Sequence, residues 1–292
     1  MFKILVLKFF YNLSYDQTEE YVRDRISFRS FLGLLCFADR VPDANTIWVF
    51  AEDMKNLGLE TLLFDRLHEE LARHGFQARS GSIVDANFVE VPRQRNTKEE
   101  NEQIKNCEVP ERIASNPHVL AQKDLDAEWA KKGDETHFGY KNHVNIDDEF
   151  KLIQGYAVTG AATHDSVPYL DIMPEKPLYP GQEALADSAY SSKEINEKLQ
   201  GRGYVPEICE KGYRNNPLTE NQKATNKVKS SVRCRVEHVF GEMKMRMGDT
   251  VLRSIGFARA KFGIGMRNLV YNMSRLVSLK RPKKLPKLAV VR

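Results

Sequence analysis

An aspartate in the middle of an apolar β run constrains this chain more than any other feature. Residues 82–91 read Ser-Ile-Val-Asp-Ala-Asn-Phe-Val-Glu-Val and are bounded by Gly81 and Pro92. β-branched and aromatic side chains between two breakers predict a strand. Asp85 then shares one face with Ile83 and Asn87, while Val84, Ala86 and Phe88 take the other. A carboxylate in such company is costly unless it is compensated. Two arrangements satisfy it: an edge strand with Asp85 facing solvent, or a central strand whose carboxylate is matched by groups from elsewhere in the chain.

The remaining patterns limit what surrounds that strand. Residues 1–75 read as a small helical unit, with predicted helices at 1–10, 16–24, 28–37, one capped by Asp43 or Asn45 that holds Ile47, Trp48 and Phe50, and one over 61–74 that stops at Gly75. From 92 to 132 no periodicity survives, which predicts a long, mobile insertion. Alternation returns at 136–146, and Asp147-Asp148 turns the chain into a second strand over 150–159, an antiparallel hairpin. A polar turn at Thr163-His-Asp-Ser166 leads to a predicted helix ending at Ile172. Glu183-Ala-Leu-Ala-Asp187 reads as a short buried strand, 191–199 as a helix and 203–208 as another strand. After a polar stretch at 211–229, residues 231–247 carry Val232, Val236, Val239, Phe240, Met243 and Met247 at spacings of three and four, the mark of one amphipathic helix. A further helix spans 258–279.

Three antiparallel strands followed by parallel strands with flanking helices is the order of an RNase H-like α/β fold. The chain has neither a GxGxxG nor a GxxxxGKS turn, which argues against a nucleotide-binding α/β domain. No HExxH is present, and the four cysteines form no CxxC pair, so neither a zinc knuckle nor a disulfide framework is expected. No stretch approaches the roughly 20 apolar residues of a membrane span, and a cytoplasmic protein is expected. Charge is divided unevenly. Residues 211–292 hold 20 Lys and Arg against 4 Asp and Glu, leaving 24 against 36 in residues 1–210. A basic C-terminal third, ending in Lys-Arg-Pro-Lys-Lys-Leu-Pro-Lys, suits a polyanion such as nucleic acid; the plainer reading is a solvated basic tail.

Two further carboxylates stand out beside Asp85. Asp187 closes its strand at the C-terminal end, where α/β proteins place ligands, although an aspartate there also suits a helix cap. Glu237 lies on the 231–247 helix with Arg233 and Lys244 about one and two turns away, which fits a surface ion-pair ladder equally well. Taken together the three acquire a different sense. A pair of metal ions roughly 3.5–4 Å apart needs a dense carboxylate cluster, which two strands and a helix from distant parts of this chain are expected to deliver. The basic third would hold a phosphodiester against it.

The order of six stretches carries a resemblance: MFKILVLKFFYNLSYDQTEEYVRDRISFRSFLG, SIVDANFVEVPRQRN, HFGYKNHVNID, YAVTGAATHDS, ALADSAYSS and RCRVEHVFGEMKMRMG. The chain resembles the bacterial insertion-sequence DDE transposases of the IS4/IS5 group, and its IS5-like branch in particular. The resemblance implies an RNase H-like catalytic domain over 76–279 with the insertion at 92–132, a helical DNA-end-recognition domain at 1–75 and a basic tail at 280–292. It places the catalytic, metal-holding carboxylates on Asp85, Asp187 and Glu237. The group's signature around the glutamate runs Tyr, two residues, Arg, three residues, Glu, six residues, Lys; Arg233, Glu237 and Lys244 fit it, and Ser230 stands where the tyrosine would be. Chains of this kind begin tens of residues upstream of the MFKILVLKFF segment, so part of the end-recognition region is expected to be missing.

The activity implied is cleavage at insertion-sequence ends and transfer of the freed 3′-OH strands into target DNA, with two Mg²⁺ ions, for which Mn²⁺ can substitute, and no covalent protein–DNA intermediate. DNA and a second copy of the chain in a synaptic complex are the implied partners. Arg233, Arg235, Lys244 and Arg246 are expected to contact backbone phosphates, and Lys141 and His143, two apart on one strand face, to approach the same groove. A nuclease that only hydrolyses, a DNA-binding descendant without activity and a small-molecule hydrolase with incidental basic charge are the alternative classes.

Overall fold

The computed structural model describes residues 1–34, 39–76, 81–214, 216–248 and 251–280. Five helices open the chain: α1 (Phe2–Phe10), α2 (Tyr15–Asp24), α3 (Ile26–Leu32), α4 (Ala44–Asn56) and α5 (Leu59–Arg73). Their ends are set by local chemistry. Ser14 and Gln17 close a reciprocal capping box on α2, Asp43 caps α4 through Thr46 N–H, and Gly75 takes a positive φ of 79° so that Phe76 N–H returns to Leu71 O. Of the region expected to form the third helix, residues 35–38 lie outside the described residues.

The sheet begins with β1 (Ser82–Glu90), continues through β2 (Glu128–Lys132), β3 (Glu135–Asp147) and β4 (Ile153–Gly160), and ends with β5 (Glu183–Ala186) and β6 (Val205–Ile208). β1 is central. It pairs antiparallel with β3 along its whole length and parallel with β5, and β6 extends the parallel side. On the antiparallel side, β2 pairs with the first five residues of β3, and β4 pairs with the rest. Strand order β4-β3-β1-β5-β6 is that of the expected RNase H-like fold, with β2 as an addition. The edge-strand alternative for Asp85 is therefore excluded.

Two helical layers cover the sheet. On one face α12 (Arg235–Met247) and α13 (Phe257–Lys280) join α1, α4 and α5 in a core with Ile83, Val144, Ile146 and Leu185, so residues 1–75 and the sheet share one apolar interior. α13 is pinned to the sheet by buried amides. Asn268 and Asn142 exchange hydrogen bonds at 2.8 and 3.1 Å, and the Asn272 side chain receives Ile153 N–H and donates to Ile153 O. On the other face α9 (Tyr169–Ile172) and α10 (Lys193–Arg202) pack with Val84, Ala184 and Ala186. No helix among the described residues is long and apolar enough to cross a membrane.

Two segments differ from the sequence reading. Residues 92–132 are not featureless: they hold α6 (Lys98–Lys105), α7 (Glu111–Ala114), α8 (Pro117–Leu120) and β2. A Thr97–Glu100 capping box and the Arg112–Glu100 ion pair at 2.6 Å organise them, and four-residue helices are too short to show a period. The single helix expected over 231–247 is two. α11 (Glu220–Arg233) starts at a Thr219–Gln222 capping box inside the polar stretch and ends at Cys234, where α12 begins. α11 buries none of its residues, so no apolar stripe announced it.

Candidate active site

The parallel pairing of β1 and β5 brings the first two carboxylates together. Ser82 lies beside Ala184 and Ile83 beside Leu185. The same register carried two residues further sets Asp85 beside Asp187, on strands spaced by about 4.8 Å. Both aspartates fall on the face of Ile83 and Leu185, the face that α12 covers. Asp187 follows the last residue of β5 and caps the 3₁₀ turn Ser188–Tyr190, its Oδ1 accepting Ala189 N–H at 2.7 Å.

Asp85 carries the electrostatic load. Its carboxyl is pushed up to about 6, first by burial and also by the charge of Asp187; the Ala86 amide, Arg233 and Lys132 work in the opposite direction. Ala86 N–H donates to Oδ1 at 2.8 Å and Arg233 Nη1 to Oδ2 at 2.9 Å. The other terminal nitrogen of Arg233 lies 3.8 Å from Glu237 Oε1. Glu237 stands in the first turn of α12, a position favourable for a negative charge, with its side chain 62% exposed. Val236, Val239, Met243 and Met247 bury the opposite stripe and fix the helix against β1. One guanidinium thus bridges two of the three expected carboxylates, and the third neighbours the first across the sheet.

A cavity of about 420 Å³ opens beside this cluster. Asp85, Asp187, Lys131, Lys132, Lys141 and Asp165 line it, together with Trp129. The sequence pattern does not mark the β2 residues of this wall; Asp165 belongs to the Thr163-His-Asp-Ser166 turn, whose His164-Asp165 pair the sequence leaves open between holding its loop and a role near the metals. Lys141 Nζ donates to Thr163 O and to Asp165 Oδ1, both at 2.7 Å, and only 8% of the residue is exposed.

The expected phosphate contacts separate into three groups. Lys244 and Arg246 are exposed on α12, with Arg246 3.3 Å from Glu242. Arg235 and Arg233 are engaged inward: Arg235 Nη1 bonds the backbone and side-chain oxygens of Asp148 at 3.0 and 2.9 Å, as Arg233 bonds Asp85. His143 does not approach the groove. It is fully buried on the sheet face opposite Asp85, its Nε2 lies 2.9 Å from Thr159 Oγ1, and burial lowers its pKa to about 4. Alternation placed Lys141 and His143 on one face correctly, but packing against the sheet closes that face to a phosphate at His143. His238 is exposed one position beyond Glu237 and meets Lys151 at 2.8 Å.

The donor set suits a hard divalent cation, which takes carboxylate oxygens, and the charge of Asp187 acting on a desolvated Asp85 is one that an added cation would offset. Among the described residues, however, no three His, Cys, Asp or Glu side chains converge into a ready cage. Asp85, Asp187 and Glu237 would hold such an ion only after Glu237 and Arg233 adjust.

Two family models match the chain. A family model described as "Transposase DDE domain" matches residues 76–273, and a second, "Transposase domain (DUF772)", matches residues 1–53. Among solved structures, the chain is similar to a piggyBac transposase in a cryo-EM structure of its synaptic complex with hairpin DNA, at 12% sequence identity and a TM-score of 0.46. That alignment covers 96% of this chain and 66% of the other, so this chain spans slightly less than two thirds of that relative's length. The first family match takes in Asp85, Asp187 and Glu237 and more than half of the sequence. The chain belongs to the DDE-domain transposase family, whose members generally act with divalent metal ions.

Proposed function

We propose that this chain is an insertion-sequence transposase of the IS4/IS5 group that cleaves DNA at the element's ends and joins the freed 3′-OH strands to target DNA. The observation that carries the reading is the parallel register of β1 and β5, which leads Asp85 and Asp187 to the same end of the two strands, where the charge of one acts on the other, together with the Arg233 bridge between Asp85 and Glu237. Asp85, Asp187 and Glu237 would hold two Mg²⁺ ions, with Mn²⁺ as a substitute. Such ions, when bound, supply Lewis-acid polarisation of the phosphodiester and lower the pKa of the attacking oxygen.

The chain's own groups do the rest. β1 and β5 fix the two aspartates on a rigid sheet, and the buried stripe of α12 holds Glu237 toward them. Lys131 and Lys132 on the cavity wall and Lys244 and Arg246 on α12 supply positive charge for backbone phosphates. Lys141 acts through Asp165, holding the Thr163-His-Asp-Ser166 turn at the cavity edge. Residues 1–75 serve end recognition, 76–279 the chemistry and 280–292 salt-dependent affinity, of which 281–292 lie outside the described residues. Two element ends must be processed together, so the working form is a homo-oligomer on DNA, acting at the nucleoid in the cytoplasm.

The test is a cleavage and strand-joining assay on DNA carrying element ends. Both reactions should appear with Mg²⁺ and disappear together in Asp187→Asn. Cleavage without joining would replace this reading with a hydrolytic nuclease, and DNA binding without either reaction with an inactive descendant.

A further inference from the structure

We propose that Arg233 is an internal counter-ion that occupies the place of the metal charge in the metal-free chain, and that cation loading and the Arg233–Asp85 contact exclude one another. This inference rests on the reading that Asp85, Asp187 and Glu237 hold the cation. A carboxylate withdrawn from water needs hydrogen-bond donors or an opposite charge whether or not an ion is present. Asp85 receives one hydrogen bond from the adjacent Ala86 amide; its ionic partner is Arg233, 2.9 Å away and 148 residues along the chain. The same guanidinium points its second nitrogen at Glu237. It therefore lies between two carboxylates that a shared cation would have to bridge.

Two details make the contact exchangeable. Arg233 Nε is buried and without a hydrogen-bond partner among the described residues, so the guanidinium is not seated in the two-pronged geometry that makes arginine–carboxylate pairs strong. The helix also breaks at Cys234, between Arg233 and Glu237. Beyond the break, α12 is anchored by its buried stripe. Before it, α11 buries none of its residues fully: Val232 packs half-buried against the core, and the rest is held by polar contacts, Lys229 with Glu207 at 3.1 Å and Asn226 with Glu210. Arg233 can leave Asp85 by a swing of its long side chain about this junction while Glu237 keeps its position. Released, it becomes available to a DNA phosphate at the moment the site is charged. Arg233 is thus a positioning residue that holds Asp85 aimed until a cation takes over.

Mn²⁺ binding to the full-length chain, measured by electron paramagnetic resonance at about pH 8, tests this without any catalytic readout. Removing a competitor that makes one charge-assisted hydrogen bond should tighten binding roughly tenfold in Arg233→Gln. Arg233→Lys, which keeps the charge and loses the fork, should fall between Arg233→Gln and the parent and serves if Arg233→Gln does not fold. Metal-free Arg233→Gln should melt below the parent, and saturating Mn²⁺ should close that gap. Mg²⁺ should also shift the Arg233 Nε–H resonance of the parent. Affinity unchanged or weakened in both variants overturns the exclusion. Asp85→Asn and Asp187→Asn separate the two levels: if they abolish Mn²⁺ binding while the arginine variants do not tighten it, only the counter-ion role fails. If they leave binding intact, the carboxylate site fails as well, and the inference with it.

Discussion

Two aspartates of the same sheet, the half-buried Asp85 and the buried Asp147, carry the same shift in acidity and differ in everything that satisfies them. Both carboxyls are pushed up to about 6, in each case chiefly by desolvation. Asp147 ends β3 and turns its oxygens onto its own hairpin, where it accepts N–H groups from Phe150 and Leu152. Its partners arrive with the turn, so folding the hairpin satisfies it. Asp85 sits inside β1 beside another acid, and its ionic partner comes from the far end of the chain. The difference teaches that burial alone does not mark a working carboxylate. What sets Asp85 apart is that its partner is a side chain from a distant helix and that it faces a cavity, where Asp147 is met by the backbone amides of its own turn.

The largest expected effect breaks the comparison on the side of chemistry. Asp85→Asn should fold and bind DNA but lose cleavage by about 10³-fold or more, as removal of a group essential to metal-assisted phosphoryl transfer does. Asp147→Asn should retain cleavage per folded molecule. Matching losses in both, measured as initial rates normalised to folded protein, would erase the distinction. Next in size is stability. Asp147→Asn replaces an acceptor oxygen with a donor facing a buried N–H, at a cost of about 1–3 kcal/mol in denaturant unfolding.

The pH dependence of stability sharpens the contrast more finely. Asp147 binds its proton more tightly folded than unfolded, so its contribution is fully present below about pH 4, the ordinary aspartate range, and is lost as pH rises through about 6. Subtracting the Asp147→Asn profile from the parent profile should leave a fall across that window; a flat difference would mean that the amides, not burial, set its ionisation. The smallest expected effect concerns the exposed cations. Lys244→Ala should weaken DNA binding similarly on all sequences and lower the salt slope of log K by about 1, readable from titrations at several ionic strengths.

Much of this arrangement was legible in the sequence because strands repeat every two residues. Alternation put Asp85 with Ile83 and Lys141 with His143, and an apolar run ending in Asp187 marked the strand end. The stripe from Val236 to Met247 likewise placed Glu237 on an exposed flank. Four things were not legible, for physical reasons. The break at Cys234 has no glycine or proline, and Val232 and Val236 continue the apolar spacing straight across it. The helices of 92–132 are one or two turns long and held by caps and an ion pair, which leave no periodic trace. The Arg233–Asp85 contact is purely tertiary: the sequence offered Arg233 as a phosphate contact, and only the sheet's position beneath α11 turns it inward. His143 failed for the related reason that a strand face can be assigned from sequence while the layer that buries it cannot.

The most direct measurement is Mg²⁺-dependent cleavage and strand joining on DNA carrying element ends, by the purified chain beside Glu237→Gln, with folding checked by circular dichroism. Cleavage and joining by the parent, both lost in a folded variant that still binds DNA, is the result expected if Asp85, Asp187 and Glu237 form one active site. Cleavage by Glu237→Gln at the parent rate would contradict it, and would leave Glu237 as one half of a surface ion pair with Arg233.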